Sequence, residues 1–329
     1  MERKNRYSRK EVERLWLEDF TEEQEELEDP EQEGLDFKKR GKAISPSLLE
    51  IFMQCTHPVK LVKNIVNHAG IFVGISSQIV PCGRCIACRL NYANSWSTRI
   101  VSEAKQWKFA SFVTLTYNDE NIPINDLGYQ TLSKRDCQLF FKRARKDVSF
   151  RYFLGGEYGD TWRRPHYHFC CFSDNEAITD LSFWEKHWRK GFVYIGSLTR
   201  DSANYVAKYC VKKLGGKASE FYSERGIEPE FALMSRRPGI GYDYITKFRE
   251  MVKNNGFVVV DGKKQSIPKY FGSKIFTDDE KNQRFLENSA KAIEDFYNDF
   301  DEGYGYDYDL QKNRQREYNI KSRLKKKKL

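Results

Sequence analysis

Residues 163–172 read Arg-Arg-Pro-His-Tyr-His-Phe-Cys-Cys-Phe. The proline and the aromatic residues favour a β-strand over a helix interior. Alternate side chains of a strand share one face, so we expect His166 and His168 on one face, about 7 Å apart, and Tyr167 and Phe169 on the other. Two imidazoles placed in this way can bind one metal ion. An isolated His-x-His pair, however, is more often only the solvent-facing side of a half-buried strand.

Glu157 is the neighbour that favours a metal site. It follows another strand-like run, residues 150–154, and a turn-prone segment separates it from the histidines. A β-hairpin would bring its carboxylate opposite the pair, with Asp160 as the alternative third ligand. One carboxylate and two imidazoles suit Mn²⁺ or Mg²⁺ and leave coordination positions for water and substrate oxygens.

A helix is predicted around residues 204–213, Asn-Tyr-Val-Ala-Lys-Tyr-Cys-Val-Lys-Lys. Asp201 or Ser202 would be its N-cap, and Gly215-Gly216 would end it. Two tyrosines and two lysines would share one face, namely Tyr205, Lys208, Tyr209 and Lys212. Tyrosines at helical spacing are more often packing residues, but lysines on the same face argue against burial. This face is therefore a candidate for chemistry.

These motifs resemble the HUH endonucleases, and within them the two-tyrosine initiators of rolling-circle replication in small single-stranded DNA bacteriophages. Three further segments are similar to the gokushovirus-type microvirus replication initiators: Pro81-Cys-Gly-Arg-Cys-Ile-Ala-Cys-Arg89, Phe112-Val-Thr-Leu-Thr-Tyr117 and Met234-Ser-Arg-Arg-Pro-Gly-Ile-Gly241. The resemblance covers residues 52–270. Several motifs in the expected order make it specific, whereas His-x-His alone would be weak.

The resemblance implies an α+β fold, an antiparallel sheet with helices on one face in a ferredoxin-like, RNA-recognition-like sandwich. It implies a metal-dependent endonuclease that nicks and rejoins single-stranded origin DNA through a 5′-phosphotyrosine. Two nucleophiles, one cation and three metal ligands would do this: Tyr205 and Tyr209, Lys208, and His166, His168 and Glu157. A host helicase and DNA polymerase would be partners, in the cytoplasm of a host bacterium.

The charge distribution also indicates a polyanionic partner. The 329 residues carry a net charge of +9, yet residues 18–36 hold eleven acidic side chains and no lysine or arginine. The rest of the chain therefore sums to about +20, as expected for a nucleic-acid-binding protein. Lys325–Lys328 would add salt-dependent attraction. Candidate DNA-binding residues are Arg163, Arg164, Lys212, Arg236 and Arg237.

Several function classes are disfavoured. No apolar run is long enough to span a bilayer, so we expect no membrane partner. The sequence lacks GxxxxGK[S/T], which excludes a P-loop helicase. Two rivals stay open. An HUH-type transposase or relaxase would share the chemistry, whereas a non-enzymatic zinc-containing DNA-binding protein would leave the histidine and tyrosine pairs unexplained.

Four of the eight cysteines predict a structural metal site: Cys55, Cys82, Cys85 and Cys88. Thiolates at these spacings suit a tetrahedral Zn²⁺ ion that fixes a small, loop-rich subregion. An iron–sulfur cluster and unligated, hydrophobic cysteines are the alternatives. His57 is a possible replacement for Cys55 as the fourth ligand.

Five segments are predicted along the chain. They are a charged, disordered tail with some helix (1–45), a Cys-rich subregion with a helix (46–108), an endonuclease core (109–216), an accessory region (217–300) and a basic tail (301–329). The predicted elements are helix 91–107, strand 109–117, a helix from Ser133, helix 183–189, strand 192–198, helix 242–254, a hairpin through Val260 and Lys269, and a charged helix over 278–300.

The helix that begins at Ser133 has the clearest pattern. Ser133 would be the N-cap and Asp136 would complete a capping box. Its buried stripe would be Cys137, Phe140, Phe141, Ala144 and Val148, with Arg135, Lys142, Arg143, Arg145 and Lys146 pointing to solvent. His187, which belongs to no pair, is interpreted as an ordinary surface or packing residue.

Overall fold

The computed structural model describes Cys55 and residues 59–66, 72–159, 163–208, 217–284 and 319. They divide into two compact units. One holds Trp96–Lys247, and the other holds Ser45–Ser95 with Phe248–Leu329. Three predictions lie outside the described residues: the tail over 1–45, the charged helix beyond residue 284, and the lysine run at 325–328. No helix within the described ranges is long and apolar enough to cross a bilayer.

The described elements follow in chain order. They are β1 (Val59–Val66), β2 (Phe72–Val80), α1 (Ile86–Ala104), β3 (Phe109–Tyr117), α2 (Lys134–Asp147), β4 (Arg151–Tyr158), β5 (Pro165–Ser173), a 3₁₀ turn (Glu176–Thr179), α3 (Leu181–Trp188), β6 (Gly191–Ser197), α4 (Arg200–Ala207), α5 (Lys217–Glu224), β7 (Phe231–Met234), α6 (Tyr242–Lys247), α7 (Arg249–Asn255), β8 (Val258–Val260), β9 (Lys263–Gln265) and α8 (Lys269–Ile275).

A five-stranded antiparallel sheet, in the order β6-β3-β5-β4-β7, organises the first unit. The predicted α+β class with an antiparallel sheet is confirmed. The central strand is β5, so the histidine strand has hydrogen-bonded neighbours on both sides. Its side chains alternate as the sequence predicts: Tyr167 and Phe169 are fully buried, whereas His166 and His168 are half-buried on the opposite face.

The buried face packs against α2 and α3. The ring of Phe169 meets Phe140 of α2 and Trp184 of α3 edge-on, with centroids 5.9 and 5.2 Å away. Such tilted aromatic pairs add to the free energy gained by burying the rings. The other face of the sheet carries α4 and the C-terminal part of α1, where Trp96 lies 5.0 Å from Phe153. This helix was predicted from residue 91 but begins at Ile86, directly after Cys85.

The start of α2 confirms the predicted N-cap and corrects the predicted box. The Ser133 side chain accepts a hydrogen bond from the Asp136 N–H at 3.1 Å. The Ser133 N–H, however, donates to the Tyr167 hydroxyl at 2.7 Å, and the Asp136 carboxylate accepts from Tyr117 at 2.8 Å. Both groups therefore tie the helix to the core of the sheet. The predicted buried stripe is confirmed for Cys137, Phe140, Phe141, Ala144 and Val148.

His187 is a packing residue. It is buried on α3, its ring lies 4.9 Å from Phe183, and desolvation lowers the pKa of its imidazole. The prediction that Arg143 points to solvent is wrong, because its Nε and Nη2 donate to the His187 carbonyl at 3.1 and 2.8 Å. An otherwise open carbonyl at the end of α3 is thereby satisfied.

The C-terminal predictions need two corrections. The helix predicted over 242–254 is two helices, α6 and α7, because Phe248 adopts non-helical angles of φ −107° and ψ 22°. The hairpin predicted through Val260 and Lys269 is shorter. It turns at Asp261-Gly262, both with positive φ as two-residue hairpin turns require, and Lys269 instead opens α8 after Pro268.

Candidate active site

The hairpin of β4 and β5 brings Glu157 to the histidine pair, as predicted. Glu157 lies directly opposite His166 in the strand register. Its Oε1 lies 2.6 Å from Nε2 of His168, and the two imidazole centroids are 6.4 Å apart. All three side chains are on the face of the sheet opposite the aromatic core. The Asp160 alternative lies outside the described residues.

Two threonines of β3 orient the imidazoles. Thr116 Oγ1 lies 3.0 Å from Nδ1 of His166, and Thr114 Oγ1 lies 2.9 Å from Nδ1 of His168. These contacts follow from the register, because Thr116 pairs with His166 and Thr114 with His168. With Nδ1 held by a hydroxyl, Nε2 is the nitrogen each ring can offer to a ligand. Sequence reasoning missed this role, although Thr-x-Thr has the same alternation as His-x-His.

Gly159 and Phe112 set the positions of the two rings. A Cβ atom on residue 159 would lie 2.7 Å from Nε2 of His166, closer than any real side-chain contact, so only glycine leaves space for this ring. Phe112 stacks on His168 with centroids 5.7 Å apart and planes 9° from parallel. Packing and hydrogen bonding together therefore restrict both imidazoles.

Tyr205 reaches this cluster from α4. Its hydroxyl donates to Oε1 of Glu157 at 2.6 Å, and its ring lies edge-on to His168 at 5.0 Å. The predicted N-caps, Asp201 and Ser202, are wrong. Thr199 is the N-cap, and the side chain of Ser202 completes a capping box with it. Two hydroxyls therefore fix the first turn of the helix, and the next turn presents Tyr205.

The rest of the predicted tyrosine face is only partly described. Lys208 is exposed at the C-terminal cap of α4, and Tyr209 and Lys212 lie outside the described residues. Two other tyrosines near the sheet, Tyr117 and Tyr167, are fully buried on the core face. Burial raises the pKa of both phenols far above their ordinary value, so neither is a candidate nucleophile.

The donor set fits a divalent metal. Ligands at neighbouring positions of an octahedral Mg²⁺ ion are about 3 Å apart, close to the 2.6 Å between Glu157 Oε1 and His168 Nε2. His166 is less well placed. Among the described residues, a group of three or more potential ligands with all ligand atoms within 4.8 Å of one another occurs only at the cysteines. The His166 ring has to turn before all three side chains can share one ion.

The candidate DNA-binding arginines do not form one cluster. Arg164 donates to the Tyr117 carbonyl at 3.0 Å and pairs with Asp119 at 2.7 Å. Arg163 lies over the ring of Phe221 at 4.5 Å, and burial lowers the pKa of its guanidinium. Arg236 and Arg237 are exposed and follow β7, whose Met234 pairs with Phe153. They are therefore at the end of β4 remote from Glu157.

A second site, the four-cysteine cluster, forms in the other unit. Sγ of Cys85 is 3.8 Å from Sγ of Cys55, and Sγ of Cys82 is 4.0 Å from Sγ of Cys88. A tetrahedral Zn²⁺ ion with bonds of about 2.3 Å holds its sulfurs about 3.8 Å apart. Backbone N–H groups of Cys82 and Cys85 also donate to cluster sulfurs at 3.2 Å. The cluster can hold a metal ion, and the alternative ligand His57 lies outside the described residues.

Comparison with known proteins identifies the family. Residues 110–214 match a family model of replication-associated proteins of the ORF2 type. Over 225 residues the chain is 35% identical to replication-associated protein ORF2 of Spiroplasma virus 4, which covers 61% of this chain and 69% of the relative. Over 248 residues it is 30% identical to replication-associated protein VP4 of Bdellovibrio phage phiMH2K, covering 67% and 76%. The chain belongs to the replication-associated proteins of microviruses.

This microvirus replication-associated protein is also similar to replication-associated protein ORF4 of Chlamydia phage 1. The two are 26% identical over 215 residues, which cover 58% of this chain and 52% of the relative. No solved structure matches the chain. The segment that matches the family model includes Glu157, the histidine pair and Tyr205. The family predicted from the sequence motifs is thereby confirmed.

Proposed function

We propose that this protein initiates and ends rolling-circle replication of a phage genome by nicking single-stranded origin DNA at a specific site and rejoining it. The observation that carries the proposal is the meeting of a phenol, a carboxylate and an imidazole. Tyr205 and His168 both contact Glu157 Oε1 at 2.6 Å on the face of a central sheet. Membership of the microvirus replication-associated proteins supports the role in replication and argues against a transposase or relaxase.

Tyr205 would attack the scissile phosphorus. Its phenol oxygen forms the new P–O bond while the bond to the 3′ oxygen breaks, and the phenol proton passes to the departing oxygen. The products are a free 3′-hydroxyl, which primes synthesis, and a 5′-phosphotyrosine. An ordinary phenol has a pKa of about 10, so the reaction needs a proton acceptor. Glu157 is in contact with that proton, and Lys208 would stabilise the negative charge that develops.

A second nucleophile makes the cycle complete. The phosphotyrosine link conserves the energy of the phosphodiester, so rejoining needs no ATP. Tyr209 would cut the regenerated origin, and the 3′-hydroxyl released there would attack the first link and close the circle. A host helicase and DNA polymerase would supply unwinding and synthesis. Exposed arginines, Arg236 and Arg237 among them, would contribute phosphate contacts without sequence preference.

Two metal sites complete the proposal. Mg²⁺ or Mn²⁺ at His166, His168 and Glu157 would supply Lewis-acid polarisation of the scissile phosphate. At the four cysteines, Zn²⁺ would be structural, because tetrahedral sulfur coordination leaves no position for substrate. It would fix the chain between β2 and the start of α1, where Cys82 and Cys85 lie.

The decisive experiment is incubation with single-stranded origin DNA and Mn²⁺, followed by mass spectrometry of peptide–DNA adducts. The wild-type protein should carry a 5′-linked strand on the peptide that contains Tyr205 and Tyr209. A variant with both His166→Ala and His168→Ala should bind the strand with little loss of affinity but form no adduct. No adduct with the wild type in the presence of Mn²⁺ contradicts the proposed function. Nicking by the double variant at the wild-type rate contradicts the histidine assignment alone.

A further inference from the structure

Two aromatic side chains of the edge strand β6 are left in solvent. Phe192 is 69% exposed and Tyr194 is 65% exposed, which makes them the most exposed large hydrophobic side chains among the described residues. Between and beyond them, Val193 and Ile195 are half-buried and pack against the core. The alternation shows that this strand has a well-defined inner face, so the outer rings do not result from an irregular strand.

The strand register places these rings beside the candidate active site. Phe192 pairs with Thr116, whose other neighbour across the sheet is His166. Tyr194 pairs in the same way with Thr114, whose other neighbour is His168. Each ring is therefore on the histidine face, two strands or about 10 Å from one histidine.

The surface between the rings and the site is aromatic as well. A Cβ on Gly196 would lie 3.5 Å from the ring of Tyr194 and 3.8 Å from that of Phe112. The missing side chain thus lets Tyr194 lean over Gly196 toward Phe112. Phe112 in turn stacks on His168, which meets Tyr205 edge-on. A continuous aromatic surface leads from the sheet edge to the candidate nucleophile.

We propose that Phe192 and Tyr194 form a stacking platform for unpaired bases of the DNA strand, next to the phosphate that is cut. The proposal rests on the proposed function, since it assigns the bases that flank the reaction. Aromatic rings bind single strands by stacking and select them over duplexes, whose bases are already stacked. The excess of basic residues outside the acidic segment 18–36 favours a polyanion over a second copy of this basic chain as the occupant.

The test is a binding comparison that requires no cleavage. The probes are a fluorescently labelled oligothymidylate of about 12 nucleotides and a strand of equal length and charge made of abasic deoxyribose phosphates. The wild type should prefer the thymidylate. Replacing both rings, with Phe192→Ala and Tyr194→Ala, should weaken thymidylate binding by roughly ten- to a hundredfold per ring and leave abasic binding unchanged. The slope of affinity against salt should stay the same, because no charge is removed.

Matched variants separate stacking from general apolar contact. Phe192→Tyr with Tyr194→Phe keeps both rings and should retain wild-type affinity, whereas leucine at both positions should behave like alanine. Ile124→Ala with Leu127→Ala removes two other exposed apolar side chains, 60% and 63% exposed, and should change nothing. Wild-type affinity of the double alanine variant for oligothymidylate would overturn the platform. So would an equal loss for both strands, or a wild-type dimer that the alanine variant cannot form. Because no probe is cut, failure to nick contradicts the proposed function and leaves this result unaffected.

Discussion

Tyr205 and His168 contact the same oxygen atom: the phenol donates to Oε1 of Glu157 at 2.6 Å, and Nε2 of His168 lies 2.6 Å from that oxygen. A candidate nucleophile and a candidate metal ligand are thus joined through one carboxylate. Any change at Glu157 is therefore expected to affect both proton transfer from the phenol and the metal requirement.

Glu157→Gln keeps the size of the side chain and removes its charge. We expect the nicking rate to fall by about a hundredfold or more, because a proton acceptor contributes roughly 10²–10⁴. The Mn²⁺ concentration for half-maximal rate should rise as well. Single-turnover cleavage over a Mn²⁺ titration measures both. Glu176→Gln, an exposed glutamate on the same unit, is the control, and equal behaviour of the two variants would exclude Glu157 from the site.

Replacing Tyr205 and Tyr209 with phenylalanine separates two roles, since the ring stays and only the hydroxyl is lost. Each single variant should still cleave a one-site oligonucleotide but fail to release closed circles, and the double variant should form no covalent adduct. Denaturing gels and mass spectrometry distinguish these products. Tyr92→Phe, at an exposed tyrosine, should leave every step unchanged. A covalent adduct on the double variant would place the nucleophile elsewhere.

Gly159→Ala is expected to displace a metal ligand without removing it. The new methyl group would meet Nε2 of His166 at 2.7 Å, so the ring has to move away from its present position. We predict a metal affinity lower by about 10–100-fold, the effect typical of lost ligand orientation, with thermal stability little changed. Isothermal titration with Mn²⁺ measures the affinity. Gly272→Ala meets no atom closer than 3.8 Å and should bind Mn²⁺ like the wild type.

Cys85→Ser should release the structural metal. Elemental analysis of metal-replete protein is expected to find about one zinc per chain in the wild type and none in the variant. The variant should also unfold at a lower temperature, because metal binding contributes folding free energy. Cys170→Ser is the control: this cysteine is buried outside the cluster, so metal content should be retained even if stability falls. Wild-type protein free of zinc and iron would refute the site.

Glu103→Ala should strongly destabilise the fold. Glu103 is 1% exposed, pairs with Arg151 at 2.6 Å and accepts from the Gly241 N–H. Its loss leaves Arg151 without a carboxylate in a dry environment, which costs about 3–5 kcal/mol of the free energy of unfolding. Urea unfolding measures this loss. Glu176→Ala should cost less than about 0.5 kcal/mol, and similar values for both would show that Glu103 is not structurally important.

Local patterns predicted the parts of this fold that depend on neighbours in sequence. The alternation of His166 to Phe169 and the N-cap at Ser133 were legible because one strand face is polar and one hydroxyl precedes a clear apolar stripe. The N-cap of α4 was missed because Thr199, Asp201 and Ser202 are all good caps, and only the three-dimensional capping box selects Thr199.

The remaining site residues depend on contacts that sequence order does not reveal. Thr114 and Thr116 reach the histidines only because β3 pairs with β5 in one particular register, across about fifty residues of chain. The closeness of Gly159 to the His166 ring follows from the same hairpin geometry. The acidic Glu103, which binds the Gly241 N–H, is likewise distant in sequence from its partners.

Tyr167 stands between the two histidines and faces the other way, where its hydroxyl joins Tyr117 and the first residue of α2. Even-numbered positions of this strand answer to chemistry and odd-numbered ones to folding. A substitution at either kind of position is therefore exposed to selection, and mutational drift has little neutral ground here. As phage lineages diverge, this short strand should stay recognisable after most of the surrounding chain has changed.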